Sequence, residues 1–454
     1  MRVAKPAPHA RKGRSKAWAA SAAIVALPLA LPLASPALAG SETEPADGSA
    51  ASVAITTSHA AAASTPVASA VSLDGALLAP AASVPPEAAP TEKVKARVVA
   101  SQFVDMPVAG DAADTLRYSG RVDGYFDIKG SAFGIDESVT LTIRPEFTWG
   151  KDSNGTIGLI PNNTALFRGE GADDFDLSVS ITKRWNSGAR LTVGKVNVLD
   201  LGAKLPVVGS DGHYGFQNLS MALPPSAIIP NTITGALLEV PTEKVLYRLW
   251  VYDPDSQYGR TGFETAFKSG VGFLGSVTFP VKLGGKPGYY ALKLSGSTRD
   301  DINADSLPAV LVPAPGSRFG NSRGEFAVVL AGYQYLAVYP EAPGKGWGIF
   351  GQVYASKGDP TFLDRSAMLG VSGNPRFRPQ DRFGAAWFRY SLTDWLVNVL
   401  APRVALQDEE GVELFYTLGL SKQLQLTADV QVIDSAVTRR DTGVIAGMRL
   451  TASF

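Results

Sequence analysis

The chain of 454 residues has no cysteine, which excludes disulfides, thiolate metal sites and cysteine nucleophiles. Histidine is almost as scarce: His9, His59 and His213 are the only three. There is no H-E-x-x-H pair for zinc and no G-x-S-x-G elbow for a serine nucleophile, so no catalytic residue, metal or cofactor is expected. Beyond the first 39 residues no run of 18 apolar residues occurs, so no helix of the remaining chain can cross a hydrocarbon layer. An excess of positive charge is also missing. Basic and acidic residues number 42 each, and six of the basic ones (Arg2, Lys5, Arg11, Lys12, Arg14 and Lys16) fall in the first 39 residues, which hold no acid. The rest is mildly acidic and carries no signature of a nucleic-acid partner.

Those first residues have the layout of an export signal. A basic stretch ends at Lys16, an apolar stretch runs from Ala17 to about Leu33, and small residues at Ala37 and Ala39 flank a cleavage point near Ala39. Pro28 and Pro32 interrupt the apolar run, which disfavours a membrane anchor. Residues 40–95 are rich in Ala, Ser, Pro and Thr, without aromatic residues and without a helical or strand period. Such a segment buries too little apolar surface to offset its ordering entropy, so a flexible linker is expected there.

From about Thr115 to Phe454 strict alternation takes over. Val139, Leu141, Ile143 and Phe147 fall on one face, and Thr140, Thr142, Arg144, Glu146 and Thr148 on the other. The split recurs with Leu424, Leu426, Ala428, Val430 and Val432 against Gln423, Gln425, Thr427, Asp429 and Gln431. A period of two means strands with one apolar and one polar face. About fifteen such segments can be marked, near 115–128, 137–149, 174–185, 189–198, 232–240, 244–253, 262–280, 288–298, 324–338, 345–356, 364–373, 380–391, 411–421, 423–434 and 441–454. Short turns alternate with long loops at 199–231, 299–323 and 392–410, the pattern of a transmembrane antiparallel barrel of outer-membrane porin type. An even strand count needs one more strand. Ala96–Met106 supplies it without disturbing the short–long alternation, and a turn hidden at Ser269-Gly270 is the alternative. An all-β barrel of about 16 strands over residues 96–454 is therefore expected.

A soluble sandwich would also alternate, but its strands average five or six residues, and these segments run to about 10–15, as tilted strands crossing a membrane require. Aromatic residues gather near segment ends, as at Phe147-Trp149, Trp185, Trp250-Tyr252, Tyr333-Tyr335-Tyr339, Trp387-Phe388-Tyr390 and Trp395, which suggests interfacial girdles. The last strand ends on Phe454. That ending resembles the signal by which the barrel-assembly machinery of bacterial outer membranes recognises its clients.

If the apolar face meets outer-membrane lipid, the polar face lines the lumen. Strand parity then assigns Arg117, Arg121, Asp123, Arg144, Glu146, Lys195, Asn197, Glu239, Arg248, Arg389, Glu413 and Arg449 to the pore lining, with Gln352, Gln425 and Asp429 alongside. Tyr125, Phe350, Tyr354 and Trp387 share that parity. Charged and amide partners can replace the hydrogen bonds a sugar hydroxyl loses with its water, and aromatic faces can meet the C–H side of the ring. The plainer role for any one of these charges is a cross-strand pair holding the wall together. His213, in a long loop, is expected to be solvated. The G-x-G-x-x-G at Gly270 to Gly275 has no helix after it and is read as chance.

Several blocks resemble the carbohydrate-selective porin (OprB) family: Gly194-Lys195-Val196-Asn197 with Asp200; Gly215-Phe216-Gln217-Asn218; Tyr247-Arg248-Leu249-Trp250-Val251-Tyr252-Asp253-Pro254; Gly346-Trp347-Gly348-Ile349-Phe350-Gly351; Ser356-Lys357-Gly358-Asp359-Pro360; Arg378-Pro379-Gln380-Asp381-Arg382-Phe383-Gly384; and Glu413-Leu414-Phe415-Tyr416. The resemblance covers roughly residues 115–454. It implies a sixteen-stranded, monomeric outer-membrane pore through which monosaccharides such as glucose diffuse. It also implies a constriction of arginines and acids narrowed by infolded loops. Arg382 lies in a matching block but is read here on the outward parity. A general or ion-preferring porin and an envelope-anchoring barrel are the competing expectations.

Overall fold

The computed structural model describes residues 92–454 apart from 168–173, 206, 223–228, 256–262, 264–265, 303–310 and 312–323. The expected signal and almost all of the expected linker lie outside the described residues. From Val94 onward the alternating segments pair with their neighbours in chain order. The strands are β1 (Val94–Ala109), β2 (Arg117–Lys129), β3 (Val139–Gly150), β4 (Phe175–Arg184), β5 (Arg190–Asn197), β6 (Thr232–Pro241), β7 (Leu246–Tyr252) and β8 (Gly272–Leu283). They continue with β9 (Lys286–Ser297), β10 (Glu325–Val338), β11 (Gly346–Gly358), β12 (Leu363–Gly373), β13 (Arg382–Leu392), β14 (Glu409–Gly419), β15 (Leu424–Asp434) and β16 (Gly443–Ser453).

All sixteen are antiparallel to their neighbours, and β1 closes the barrel against β16 with Val99 opposite Ser453 and Met106 opposite Ala446. Phe454 completes the seam by exchanging both backbone hydrogen bonds with Val98. Closure pairs every strand on both sides and removes the exposed edges that an open sheet would carry. The sixteenth strand is the one over Ala96–Met106, and the strand expected at 262–280 begins only at Gly272. Among the described residues no helix is long and apolar enough to cross a membrane.

Connections sort by barrel end. One end carries the short turns 185–189, 242–245, 284–285 and 420–423, together with Phe454. Gly284 and Gly285 both have positive φ, 56° and 76°, which a two-residue turn needs so that its twist matches the strands. The long connections at 151–174, 198–231, 253–271, 298–324 and 393–408 gather at the other end.

The outer face is apolar, with Leu249, Phe279, Leu292, Leu330, Val353, Leu369 and Leu414 among its exposed side chains. The inner face holds Ser101, Asp105, Ser178, Ser276, Ser366 and Thr427, all buried. The aromatic clusters do not all form girdles. Trp387 points outward while its neighbours Phe388 and Tyr390 are buried inside, and Tyr252 and Tyr333 are also buried. Alternation itself is the reason: aromatic residues next to each other, or spaced by an odd number, are sent to opposite faces.

The alternation slips once on β5. Thr192 is hydrogen-bonded on the inner face to Thr182, yet Lys195, three residues on, also reaches the inner-face Asp176. Between them Gly194 takes φ 132°, a region that essentially only glycine enters. A Cβ there would sit 2.3 Å from the Val179 carbonyl oxygen.

Candidate functional site: the inner wall and its infolded loops

Inward-facing charges on a sheet stand directly opposite their cross-strand neighbours, and Asp123 of β2 faces Glu146 of β3. Two carboxylates in that relation repel. Two arginines compensate. Arg144 bonds Asp123 and Glu146 at 2.6 Å each, and Arg121 reaches the same two acids at 2.6 and 3.1 Å. Arg144 also contacts Asp200 at 2.5 Å, which ties the helical turn Val198–Gly202 to the wall. Tyr125 donates its hydroxyl proton between Asp123 and Asp200, and the guanidinium of Arg97 lies 4.4 Å from its ring centroid. Beside this network Lys195 pairs with Asp176 at 2.6 Å, and the Asn197 amide donates to Glu146 at 3.2 Å. Burial pushes the Asp200 carboxyl above the usual carboxylate range, against the opposing pull of Arg144.

The second feature is the pair of loops that fold inward from the long-loop end. The segment 151–167 lies against β14, β15 and the β15–β16 connection. The Leu159 and Ile160 N–H groups donate to Glu409 at 2.7 and 3.2 Å, and the Ile157 carbonyl accepts from Ser435 at 2.6 Å. The segment 198–222 crosses the lumen side of β13–β16 and β1. Arg382 donates to the carbonyls of Val207, Val208 and Gly209 at 3.0, 2.8 and 2.8 Å. Arg449 holds the carbonyls of Gly212 and Gly215 at 3.0 and 2.8 Å. Glu413 accepts the N–H groups of Gln217 and Asn218. Phe216 then packs edge-on to Phe350 and Phe415, at 5.6 and 4.8 Å between ring centroids. Wall guanidiniums take loop carbonyls and wall carboxylates take loop N–H groups. Each buried polar group of the loop backbone so engaged has a partner, and the bonds to Arg382 and Arg449 are charge-assisted.

His213 is buried in this arrangement rather than solvated. Its Nδ1 lies 2.8 Å from the Ser101 hydroxyl and its Nε2 3.1 Å from Asp123, while Ser101 also meets Thr451 at 2.8 Å. Serine, histidine and aspartate are thus in sequence, but all three are at 0–1 % exposure. A substrate carbonyl cannot approach the serine, so the trio anchors the loop to β1, β2 and β16.

The twelve residues assigned by parity divide into three groups. Arg121, Asp123, Arg144, Glu146, Lys195, Asn197, Glu413 and Arg449 are on the inner wall but buried beneath the loops or within their own network. Arg117, Glu239 and Arg248 are on the inner face and partly exposed. Arg389 is on the outer parity, 51 % exposed, and pairs with Asp408 and Glu410 at the long-loop end. Its neighbours Phe388 and Tyr390 occupy the inner face, so Arg389 and Trp387 both turn away from the lumen. Arg382 is the converse: it shares parity with the buried Gly384 and Ala386 and points inward. Phe350 and Tyr354 are buried in the loop–wall core, whereas Tyr125 is half-buried. Glu409, Asp176 and Lys293 also belong to the inner wall. For Glu409 the signal was its spacing of four from Glu413 on one alternating strand.

Water-accessible inner surface remains mainly on β3–β9, where Thr142, Thr182, Thr192, Arg190, Glu239, Arg248 and Lys293 are partly exposed. Lys204 on the infolded loop faces the same region, with Arg190 and Glu239 among its charged neighbours. Desolvation by the surrounding protein pushes its ammonium group down from the ordinary lysine range. Among the described residues no cluster of three metal-ligating side chains occurs.

A model of the carbohydrate-selective porin, OprB family, matches residues 113–454. The high-pH structure of Pseudomonas putida OprB is similar, with a TM-score of 0.65 at 17% identity over 80% of this chain and 94% of that one. Its low-pH structure gives a TM-score of 0.46 at 12% identity, covering 80% and 93%. OpdK of Pseudomonas aeruginosa with vanillate gives 0.43 at 11%, covering 80% and 98%. No curated protein matches the chain.

Proposed function

Because the chain belongs to the carbohydrate-selective porin family, OprB, we propose that the outer-membrane pore it forms passes monosaccharides such as glucose by diffusion down their gradient. Family and fold are those of a channel for carbohydrates rather than of an enzyme. A sixteen-stranded barrel is wide enough to leave an aqueous passage when empty. The observation that carries the size limit is the clamping of segment 198–222 across the lumen by Arg382, Glu413 and Arg449. It leaves hydroxyl-rich and charged wall on β3–β9 as the accessible lining. A sugar there exchanges water for threonine hydroxyls and charged groups at small net cost, because each lost hydrogen bond finds a replacement.

Residues 1–39 serve as the export signal, removed near Ala39 in a Gram-negative host, and residues 40–95 form a linker ahead of the barrel at 96–454. The apolar outer band is the lipid-facing surface, and the strand ending at Phe454 is offered to the barrel-assembly machinery. The pore is taken to work as a monomer, as the family resemblance implies. Arg117, Glu239 and Arg248 are the accessible members of the lining, and the buried charges set the position of the loop that narrows it.

The test is liposome swelling with refolded protein in glucose, a disaccharide and an amino acid of similar size. Rapid, size-limited entry favouring glucose is the expected result. Equal entry of all three solutes would reduce the protein to a general porin, and no entry from a folded barrel would remove the pore.

A further inference from the structure

We propose that the inner wall around Lys293 is a transit site for an anionic carbohydrate, a sugar bearing a carboxylate or a phosphate. This rests on the porin reading above and adds the charge of the permeant.

One cross-strand row of the barrel runs from Arg190 through Glu239, Arg248 and Ser276 to Lys293. At about 4.8 Å per strand the row spans roughly 19 Å of wall. It contains three cations and a single acid. Glu239 is taken by both Arg190 and Arg248, the latter at 2.8 Å. Among the described residues no carboxylate lies within ion-pair distance of Lys293. The residues on either side of it in the row are Ser276 and Val329, and Arg248 is a charged neighbour of the same sign. Its strand neighbours Leu292 and Leu294 are exposed on the outer face, which sends Lys293 inward.

Lys204 adds a fourth cation from the infolded loop, again without an ion pair among the described residues. Its charged surroundings are Arg190, Glu239, Asp200 and Asp127. Asp200 is engaged by Arg144, and Asp127 accepts from the Thr142 hydroxyl at 2.6 Å. Elsewhere on the inner wall the cations are held by carboxylates or by loop carbonyls: Arg121 and Arg144 by Asp123, Glu146 and Asp200, Lys195 by Asp176, Arg299 by Glu325, and Arg382 and Arg449 by the backbone of the infolded loop. Lys293 and Lys204 lack the partners that hold these cations.

An ammonium held without a counter-ion inside a walled lumen carries a desolvation cost. A passing anion relieves that cost, and a narrow passage lined by one sign of charge concentrates the opposite ion. A plain anion pore would need only the charge. Here the half-buried Thr182 and Thr192, whose hydroxyls bond each other, line the same wall, so a polyol tail has partners as well as its acid group. A neutral sugar would leave the surplus charge unused, whereas a sugar acid engages both features at once.

The experiment compares entry of glucose, gluconate and glucose 6-phosphate into liposomes carrying the refolded full-length mature protein, at low and high salt. Reversal potential in a KCl gradient is measured on the same preparation. Expected results are anion preference, with at least one anionic sugar entering faster than glucose at low salt and losing that advantage as salt screens the field. Lys293→Gln and Lys204→Gln should each lower the anionic-to-neutral entry ratio severalfold, and Lys293→Arg should keep it. A preference for gluconate alone assigns the carboxylate as the recognised group, and one for glucose 6-phosphate alone assigns the phosphate. The proposal is overturned by a glucose-permeable pore with no anion preference, or by ratios indifferent to both glutamine variants. A folded barrel closed to all three solutes would overturn the porin reading together with it.

Discussion

The carboxylate of Glu413 on β14 accepts the backbone N–H groups of two consecutive loop residues, Gln217 at 2.5 Å and Asn218 at 3.0 Å. Neither residue is near Glu413 in sequence, and the contact fixes the point where the loop crosses the lumen. A hydrogen bond contributes about 0.5–1.5 kcal/mol net, and a buried N–H left without a partner costs about 1–3 kcal/mol. Glu413→Gln replaces one carboxylate oxygen with an NH2 group, which cannot accept from the second N–H. The loop should loosen while the barrel still closes. Single-channel recording is expected to show higher and noisier conductance, with normal heat-modifiable migration on gels. Conductance identical to the parent would mean that the segment is held by other contacts.

Arg144 is the cation shared by Asp123, Glu146 and Asp200. Removing one partner from a buried ionic network costs about 3–5 kcal/mol, because the charges left behind remain desolvated. Arg144→Ala is expected to lower the yield of folded barrel more than any single lumen substitution made on β6 or β7. Arg144→Lys should recover little, since a point charge cannot reach three acids in the way a planar fork does. Asp123→Asn combined with Arg144→Ala should fold better than Arg144→Ala alone, and its failure to do so would show that charge is not the cause.

The sheet was legible because period two was written across most of the chain. All fifteen marked segments correspond to strands, and the short turns at Gly284-Gly285 and 420–423 fall where hairpins are needed. Parity and polarity part company on β13. Arg389 and Trp387 lie outward because Phe388 and Tyr390 occupy the inner face, and an apolar inner face is what a loop-covered wall requires. A charge-lined lumen predicts polar parity throughout. The inner wall of β10–β14 instead carries Tyr333, Phe350, Tyr354, Met368 and Phe415, packed under Phe216 and Val207. Nothing in strand alternation indicates that a loop will fold back to cover them. His213 was unreadable for the same reason, as its partners Ser101, Asp123 and Thr451 come from three different strands.

Asp152, in the loop after β3, offers a pH-dependent test. Burial raises its carboxyl above the usual range, while the Asn154 N–H and the Arg117 charge oppose the rise. Above the unfolded-state value the unfolded chain holds Asp152 ionised more readily than the folded protein does. The raised group therefore subtracts stability at neutral pH, and the loss disappears as pH falls below the unfolded value near 3.9. Asp152→Asn removes the charge and keeps an oxygen for the Asn154 N–H, now 2.9 Å away. The variant is expected to be more resistant than the parent to urea unfolding at pH 7 and equal to it at about pH 3. A variant less stable at pH 7 would show that the interaction with Arg117 outweighs burial.

Gly194 decides which side chains of β5 face inward. It sits opposite Gly235 of β6, and a Cβ on either would meet a backbone oxygen, at 2.3 Å from Val179 and 2.2 Å from Val251. Backbone oxygens in a closed sheet cannot step aside. Gly194→Ala must therefore either strain a conformation worth about 1–3 kcal/mol or return β5 to regular alternation. Regular alternation would turn Lys195 away from Asp176 and Asn197 away from Glu146. The expected outcome is a marked loss of folded barrel, measured by heat modifiability after refolding into detergent. Gly275→Ala is the control, because a Cβ there meets nothing within 4 Å, and it should refold like the parent. Equal yields from both variants would mean that the inward turn of Lys195 does not depend on glycine at 194, and that the Lys195–Asp176 pair itself pulls the strand out of register.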